Sequence, residues 1–147
     1  KIFALMKLQL GALVVFLPAL LEADAVLRRA ALWSAAFGRA PVMPPGKRVS
    51  VPVDEEVEPA WYHAIGYPPF GPRAIRADQA ERSFSRLLQV MSAGPAPLPT
   101  ELASWLGCSQ ADVAGVAEGM GLTRVDDERF VFARGDRGRK ARRRGSK

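Results

Sequence analysis

Apolar residues at three- and four-residue steps predict the first helix of the chain. The stripe consists of Leu20, Ala23, Val26, Leu27, Ala30, Trp33 and Phe37. Such spacing is typical of a helix that packs by one face. Pro18 suits the first turn because its missing N–H would find no partner there, and Gly38 suits the end of the helix. The short apolar run at 13–17 predicts a buried strand before this helix.

The same N-terminal segment also has the outline of a secretory signal. Residues 1–21 begin with a lysine and contain an apolar run, and Ala23-Asp24-Ala25 has the small-x-small pattern of a cleavage site. Against this, Lys7 and Gln9 interrupt the run, which never approaches the about 20 apolar residues that a bilayer span needs. We therefore favour a strand and a packed helix, no membrane contact and a cytoplasmic location.

Loops rich in proline and glycine separate the elements that follow. They are broken by an edge strand at 47–53 and a short helix at 59–65. The next predicted helix runs from about 79 to 92. Asp78 and Glu81 have the spacing of an N-terminal cap and its third-position acid, so we expect the helix to begin there.

The pattern at 97–133 predicts two helices joined by a short turn, followed by a β-hairpin. Thr100 is placed to cap the first helix, and Ser109 to cap the second, which has apolar residues at helical spacing. Strands are predicted at 122–125 and 129–132, around an acidic turn. Helix, turn, helix and hairpin are the ingredients of a winged helix.

Together these elements predict a mainly α protein with small β elements, of the α+β class. We divide it into a helical accessory region at 1–94, a winged-helix-like module at 95–133 and a disordered basic tail at 134–147. The apolar content of 48% is that of a globular chain. Its one cysteine and one histidine exclude an internal disulfide framework and a metal site built from several thiolates or imidazoles.

The charge is concentrated at the C-terminus. The 147 residues have a formal net charge of +6, of which the tail supplies +7 and the remaining residues −1. The basic residues of the tail are Arg134, Arg137, Arg139, Lys140, Arg142, Arg143, Arg144 and Lys147. The tail has no apolar residue larger than alanine, so we expect it to be disordered until it meets a polyanion. A solubilising end or part of a longer linker is the alternative.

We expect nucleic acid to contact this tail together with Arg124 and Arg129 of the hairpin. The second helix of the module has no Lys or Arg, whereas phosphate and guanine contacts come mostly from those residues. We therefore favour a structural or protein-contact role for that helix over DNA reading. We expect His63 and Cys108 to be packing residues rather than a catalytic base and a nucleophile.

An acidic segment and a lysine after a glycine were weighed as ligand sites. The acidic segment is Asp54, Glu55, Glu56 and Glu58. It lacks the glycine-turned spacing of a calcium loop, so we expect a solvated loop, with contact to the basic tail as a further option. Gly46-Lys47 lacks the preceding glycine and the following Ser or Thr of a phosphate-binding loop. We predict no nucleotide or metal site.

Several stretches of the chain form a recognisable series through their order and spacing. They are Phe16-Leu17-Pro18-Ala19-Leu20-Leu21, Val51-Pro52-Val53-Asp54, Tyr62-His63-Ala64-Ile65-Gly66-Tyr67, Gly71-Pro72-Arg73-Ala74-Ile75-Arg76-Ala77-Asp78 with Glu81-Arg82, and residues 102–107. Together they resemble the C-terminal region of a bacterial superfamily-two helicase. The family is the alphaproteobacterial helicase-related group that is similar to mitochondrial degradosome RNA helicases. The chain departs from it at Glu22-Ala23, where Lys-Pro would be expected.

The resemblance implies an ATP-driven motor of two RecA-like domains that unwinds RNA or DNA. No motor motif is recognised here, so we expect ATP and Mg²⁺ to be bound by motor domains outside this sequence, and no catalytic residue or small-molecule ligand within it. The implied partners are RNA or DNA, through the tail, and those motor domains. A free-standing winged-helix DNA-binding regulator and a protein–protein interaction module are the alternatives.

Overall fold

A computed structural model describes residues 8–132, in which helices account for more residues than strands. The helices are α1 (Ala23–Phe37), α2 (Pro59–Ala64), α3 (Ala77–Val90), α4 (Leu102–Leu106) and α5 (Gln110–Gly119), with a short 3₁₀ helix at Pro18–Leu21. The strands are β1 (Gln9–Leu10), β2 (Val15–Phe16), β3 (Ser50–Pro52), β4 (Pro69–Phe70), β5 (Arg73–Ile75), β6 (Ala96–Pro97), β7 (Leu122–Arg124) and β8 (Arg129–Phe132). This mixture of helices and small sheets is the α+β class that the pattern predicted. None of the described helices is long and apolar enough to cross a membrane.

The strands pair in three small antiparallel sheets. One is the hairpin β1–β2, the second has the order β3-β5-β4, and the third has the order β6-β8-β7. The edge strand predicted at 47–53 is confirmed as β3. Its edge position explains how Pro52, which has no N–H for a second neighbour, is accommodated.

Two hydrophobic cores lie on opposite sides of the middle sheet. The larger core is built from Phe70, Ile75, Ala80, Leu87, Met91, Leu102, Leu106, Val113, Val116, Ala117, Met120, Leu122 and Phe130. The smaller core is built from Val26, Ala30, Trp61, Tyr62, Ile65, Tyr67 and Ala74. Ala74 and Ile75 are neighbours on β5, and both are fully buried, but they belong to different cores. Successive side chains of a strand point to opposite faces, so β5 divides the two cores.

The N-terminal segment differs from its prediction in three ways. The α-helix begins at Ala23, after a 3₁₀ turn, rather than at Pro18. Its buried residues are Val26, Ala30 and Ser34, so the prediction that Leu27 and Phe37 are buried is wrong. The strand is only β2, with Val15 61% exposed. The predicted C-terminal glycine is confirmed, since Gly38 ends α1 with φ of 59°.

Helix α3 begins differently from the predicted cap. Its N-cap residue is Arg76, whose guanidinium binds the Asp78 carboxylate with Nε–Oδ1 of 2.7 Å. The Glu81 carboxylate instead accepts hydrogen bonds from the backbone N–H groups of residues 12–14, at 2.6, 2.9 and 3.1 Å. Glu81 therefore anchors the β1–β2 loop to α3, and long-range contact has replaced the predicted local cap.

The C-terminal elements follow the prediction closely. The Ser109 hydroxyl accepts the Asp112 N–H at 3.3 Å and caps α5, as expected. Strands β7 and β8 form the predicted hairpin. Thr100 does not cap α4, whose N-cap residue is Glu101. The sequence pattern did not reveal β6, which pairs with β8 and completes the third sheet.

Candidate nucleic-acid interface

The two predicted hairpin arginines are exposed, and each is paired with a carboxylate. Arg124 Nε lies 3.7 Å from Glu118 Oε1, and its guanidinium carbon lies 5.1 Å from the centroid of the Phe130 ring. Arg129 Nε donates to Asp126 Oδ2 at 2.7 Å. Both side chains are solvent-accessible, so a phosphate could reach them. It would have to compete with the carboxylates that already pair with them.

The turn of this hairpin is acidic. Asp126 also accepts the backbone N–H groups of Glu128 and Arg129, at 3.1 and 2.9 Å. The hydrogen bond from Arg129, followed by those from the backbone, lowers the pKa of Asp126, and the same pairing raises the pKa of Arg129. With Asp127 alongside, three carboxylates in the turn face two arginines in the strands. The hairpin by itself is therefore a weak phosphate-binding surface.

Helix α5 is held inside the protein along one side. A Cβ on Gly119 would lie 2.6 Å from the Phe70 carbonyl carbon, and one on Gly115 would lie 3.0 Å from Pro72 Cδ. The side chain of Arg73 reaches the same helix, with Nη1 3.4 Å from Asp112 Oδ2. The backbone of α5 thus packs directly on the β4–β5 turn, a contact that glycine alone permits. This placement agrees with the expected structural role of the helix.

The predicted tail residues Arg134, Arg137, Arg139, Lys140, Arg142, Arg143 and Arg144 lie outside the described residues. The described chain ends at Phe132 in β8, whose ring packs edge-on against Phe84 of α3, with centroids 5.3 Å apart. The last described residue is therefore packed on α3. Within 8–132 the predicted site residues are Arg124 and Arg129, and they lie on the two paired strands of the hairpin.

A basic and aromatic cluster that the sequence did not reveal lies between α3 and α4. The guanidinium carbon of Arg82 lies 4.0 Å from the centroid of the Trp105 ring. One turn along α3, Arg86 Nε donates to Glu101 Oε1 at 2.9 Å, and Arg86 Nη1 donates to Gln89 Oε1 at 3.0 Å. Arg82 and Trp105 are 23 positions apart, and no periodicity or motif links them, so only the packing of two helices reveals the pair.

The remaining candidates are placed as isolated side chains. His63 is exposed, so the expectation of a partly buried residue is wrong. Cys108 is half-buried against the larger core, as expected, and burial raises the pKa of its thiol. Of the acidic segment, Glu58 forms an ion pair with Arg39, and Asp54 Oδ1 accepts the Glu56 N–H at 2.9 Å.

Ligand groups of the implied motor find no counterpart in the described chain. Gly46 and Lys47 lie in a turn that leads into strand β3, whereas a phosphate-binding loop leads into a helix. Within 8–132 no three His, Cys, Asp or Glu side chains are grouped so as to hold a metal ion. These residues do not fit ATP and Mg²⁺. No protein-family model, no curated protein and no solved structure matches this chain.

Proposed function

We propose that this chain is the C-terminal accessory region of an ATP-dependent RNA or DNA helicase of the cytoplasm. In this proposal the folded body docks on motor domains outside the sequence, which bind ATP and Mg²⁺. The basic tail captures a nucleic-acid strand beside that motor. The proposal draws on the resemblance of the sequence stretches and on the distribution of exposed apolar side chains.

The observation that carries the docking role is an unequal distribution of apolar surface. The large apolar residues exposed in the described part are Leu10, Val15, Leu20, Leu27, Leu32, Phe37, Met43, Leu88 and Val125. Seven of these nine lie between positions 10 and 43. Leu10 and Val15 are paired across the β1–β2 hairpin, so the two exposed side chains form one apolar patch. Exposed apolar surface of this kind marks interaction sites, and its concentration between positions 10 and 43 supports docking through this segment.

The order of the C-terminal elements supports a winged-helix-like module that includes α3. Helix α3, strand β6, helices α4 and α5, and the hairpin β7–β8 follow one another, and the sheet order β6-β8-β7 places the first strand beside the last. A winged helix places its recognition helix in the position of α5. The larger core unites these elements from both sides of position 94, the predicted boundary.

The winged-helix regulator draws less support from the same geometry. The exposed positions of α5 include Gln110, Ala111 and Glu118, and the helix has no Lys or Arg. Gly115 and Gly119 face the β4–β5 turn. If α5 entered a DNA groove, it would bring negative and neutral side chains to the phosphates. A protein–protein interaction module would use the same docking surface. It differs from the helicase proposal because its tail does not bind a nucleic-acid strand.

A salt titration of binding tests the role of the tail. We expect the full chain to bind single-stranded oligonucleotides with a steep salt dependence. Replacing Arg142, Arg143 and Arg144 by Gln should reduce the slope of log K against log salt by about 2, since single strands contribute about 0.7 per neutralised phosphate. The matched control replaces Arg28, Arg39 and Lys47 by Gln and should leave the slope nearly unchanged. Equal slopes in both triple variants would refute tail capture.

The codons upstream of Lys1 test the helicase assignment. An open reading frame that continues upstream through a phosphate-binding loop and an Asp-Glu box supports the proposal. A start codon directly before Lys1, or an upstream domain without those motifs, contradicts it. This result does not depend on the binding titration. Docking on a helicase motor and strand capture by the tail can therefore be contradicted separately.

A further inference from the structure

The pair of Arg82 and Trp105 lies on the outer surface where α3 meets α4. Trp105 is half-buried and packs against the larger core, whereas Arg82 is exposed. With the guanidinium carbon 4.0 Å from the ring centroid, Arg82 covers the indole. Because Trp105 packs against the larger core and Arg82 is exposed, the guanidinium lies on the solvent side of the indole.

The carboxylates of α3 and of the start of α4 are paired with other groups. Asp78 binds Arg76, Glu81 accepts the three backbone N–H groups of the β1–β2 loop, and Glu101 accepts the Nε–H of Arg86. Within residues 8–132 no carboxylate oxygen lies within 4.0 Å of a nitrogen of Arg82. Among the described residues, an indole and no carboxylate therefore contacts this guanidinium. By comparison, Arg124 and Arg129 both have carboxylate partners.

We propose that Arg82, held on Trp105, is a stacking contact for single-stranded nucleic acid. A base stacks on the solvent face of the guanidinium, which extends the indole–guanidinium stack by one layer. The N–H groups at the edge of the same guanidinium donate to the neighbouring phosphate. Stacking of unpaired bases on aromatic rings and Arg planes is a general mode of single-strand recognition, and a duplex does not offer its base faces.

The position of this contact fits a strand captured by the tail. The described chain ends at Phe132, which packs on Phe84, and Phe84 is two residues from Arg82 on α3. The inference thus rests on the proposed function and gives it a fixed contact on the body in addition to the tail.

The test measures binding of the full chain to fluorescent oligo(dT) at about 0.3 M salt, where tail contacts are weakened. We expect Arg82→Ala to weaken binding at least about fivefold, as the loss of one stacked base would. Arg82→Lys, which keeps the charge but lacks the plane, should recover little of this affinity. The matched control Arg28→Ala removes an exposed arginine of α1 and should weaken binding by about twofold or less. A duplex of equal length should bind Arg82→Ala and the control equally.

The possible outcomes separate the contact from the proposed function. If the unsubstituted chain binds no oligonucleotide at low or moderate salt, strand capture fails as a whole. If it binds and Arg82→Ala matches Arg28→Ala, or Arg82→Lys binds as well as the unsubstituted chain, the stacking contact is overturned and tail capture stands. Circular dichroism of each variant verifies that α3 and α4 remain folded, and Trp105→Phe, which keeps an aromatic ring, should retain more affinity than Arg82→Ala.

Discussion

The two ends of the described chain bury their apolar residues to very different extents. From α3 to β8, apolar side chains of three helices and a three-stranded sheet converge on the larger core, and Leu88 and Val125 are the large ones left exposed there. From β1 to the loop after α1, Val26 is the one large apolar residue that is buried and seven are exposed, with Leu32 68% and Met43 83% exposed. Both regions contain helices with apolar residues at helical spacing, yet only one of them covers its own pattern.

The difference shows that amphipathicity identifies a face without identifying what covers it. Helix α1 rests on the smaller core through Val26 and Ala30, a face too narrow to cover Leu27 and Phe37 as well. The hairpin β1–β2 has only two strands, and isolated two-stranded hairpins are marginally stable in water. It is held to the rest of the body by the Glu81 carboxylate and by Leu13 and Val14, which pack against the larger core. The docking proposal rests on the apolar side chains of this region that remain exposed.

The largest effect should come from the glycine contact that joins α5 to the middle sheet. A Cβ at Gly119 would meet the backbone of Phe70 and Gly71, which cannot move as a side chain can. We expect Gly119→Ala to lower the free energy of unfolding by about 3 kcal/mol, measured by urea denaturation. Gly115→Ala, one turn away, meets only the Pro72 ring and should be nearly neutral, because helix propensity offsets the contact. Equal losses in the two variants would show that this close approach is absent.

A smaller and more local effect is expected from the hairpin anchor. In Glu81→Ala, three backbone N–H groups of residues 12–14 lose their charged acceptor, at a cost of about 2 kcal/mol. We expect amide hydrogen exchange to accelerate at 12–14 by more than tenfold while α4 and α5 exchange as before. The control Glu118→Ala removes an exposed carboxylate of α5 and should leave residues 12–14 unchanged. Acceleration spread evenly over the larger core would contradict a separately anchored hairpin.

The smallest effect should come from the exposed apolar face of α1. Leu27 is 54% exposed, so we expect Leu27→Gln to change the free energy of unfolding by no more than about 0.5 kcal/mol. Its neighbour Val26 is 1% exposed, and Val26→Ala should cost about 2 kcal/mol. Urea denaturation of both variants measures the difference. A large loss from Leu27→Gln would mean that α1 is covered within this chain, which would remove the support for docking.

Local signals in the sequence predicted the C-terminal elements well. The Ser109 cap and the acidic turn between β7 and β8 act between residues close in sequence, and so a pattern reveals them. The predicted capping box at Asp78 and Glu81 was wrong, because the Glu81 carboxylate accepts hydrogen bonds from three backbone N–H groups about 68 positions away in sequence. Arg124 and Arg129 of the hairpin were predicted to contact nucleic acid, and the sequence pattern did not reveal their carboxylate partners.

The sequence by itself determined the α+β class, the approximate places of the helices and the concentration of positive charge after Ala133, since each depends on composition or on spacing within one element. Only the tertiary structure decided which apolar residues are covered, how β5 separates two cores, and that Arg82 lies on Trp105. These features depend on contacts between residues far apart in the chain. Burial and stacking are properties of such contacts. A periodic pattern indicates which residues of one element are available for a contact, but it does not identify the residues that they contact.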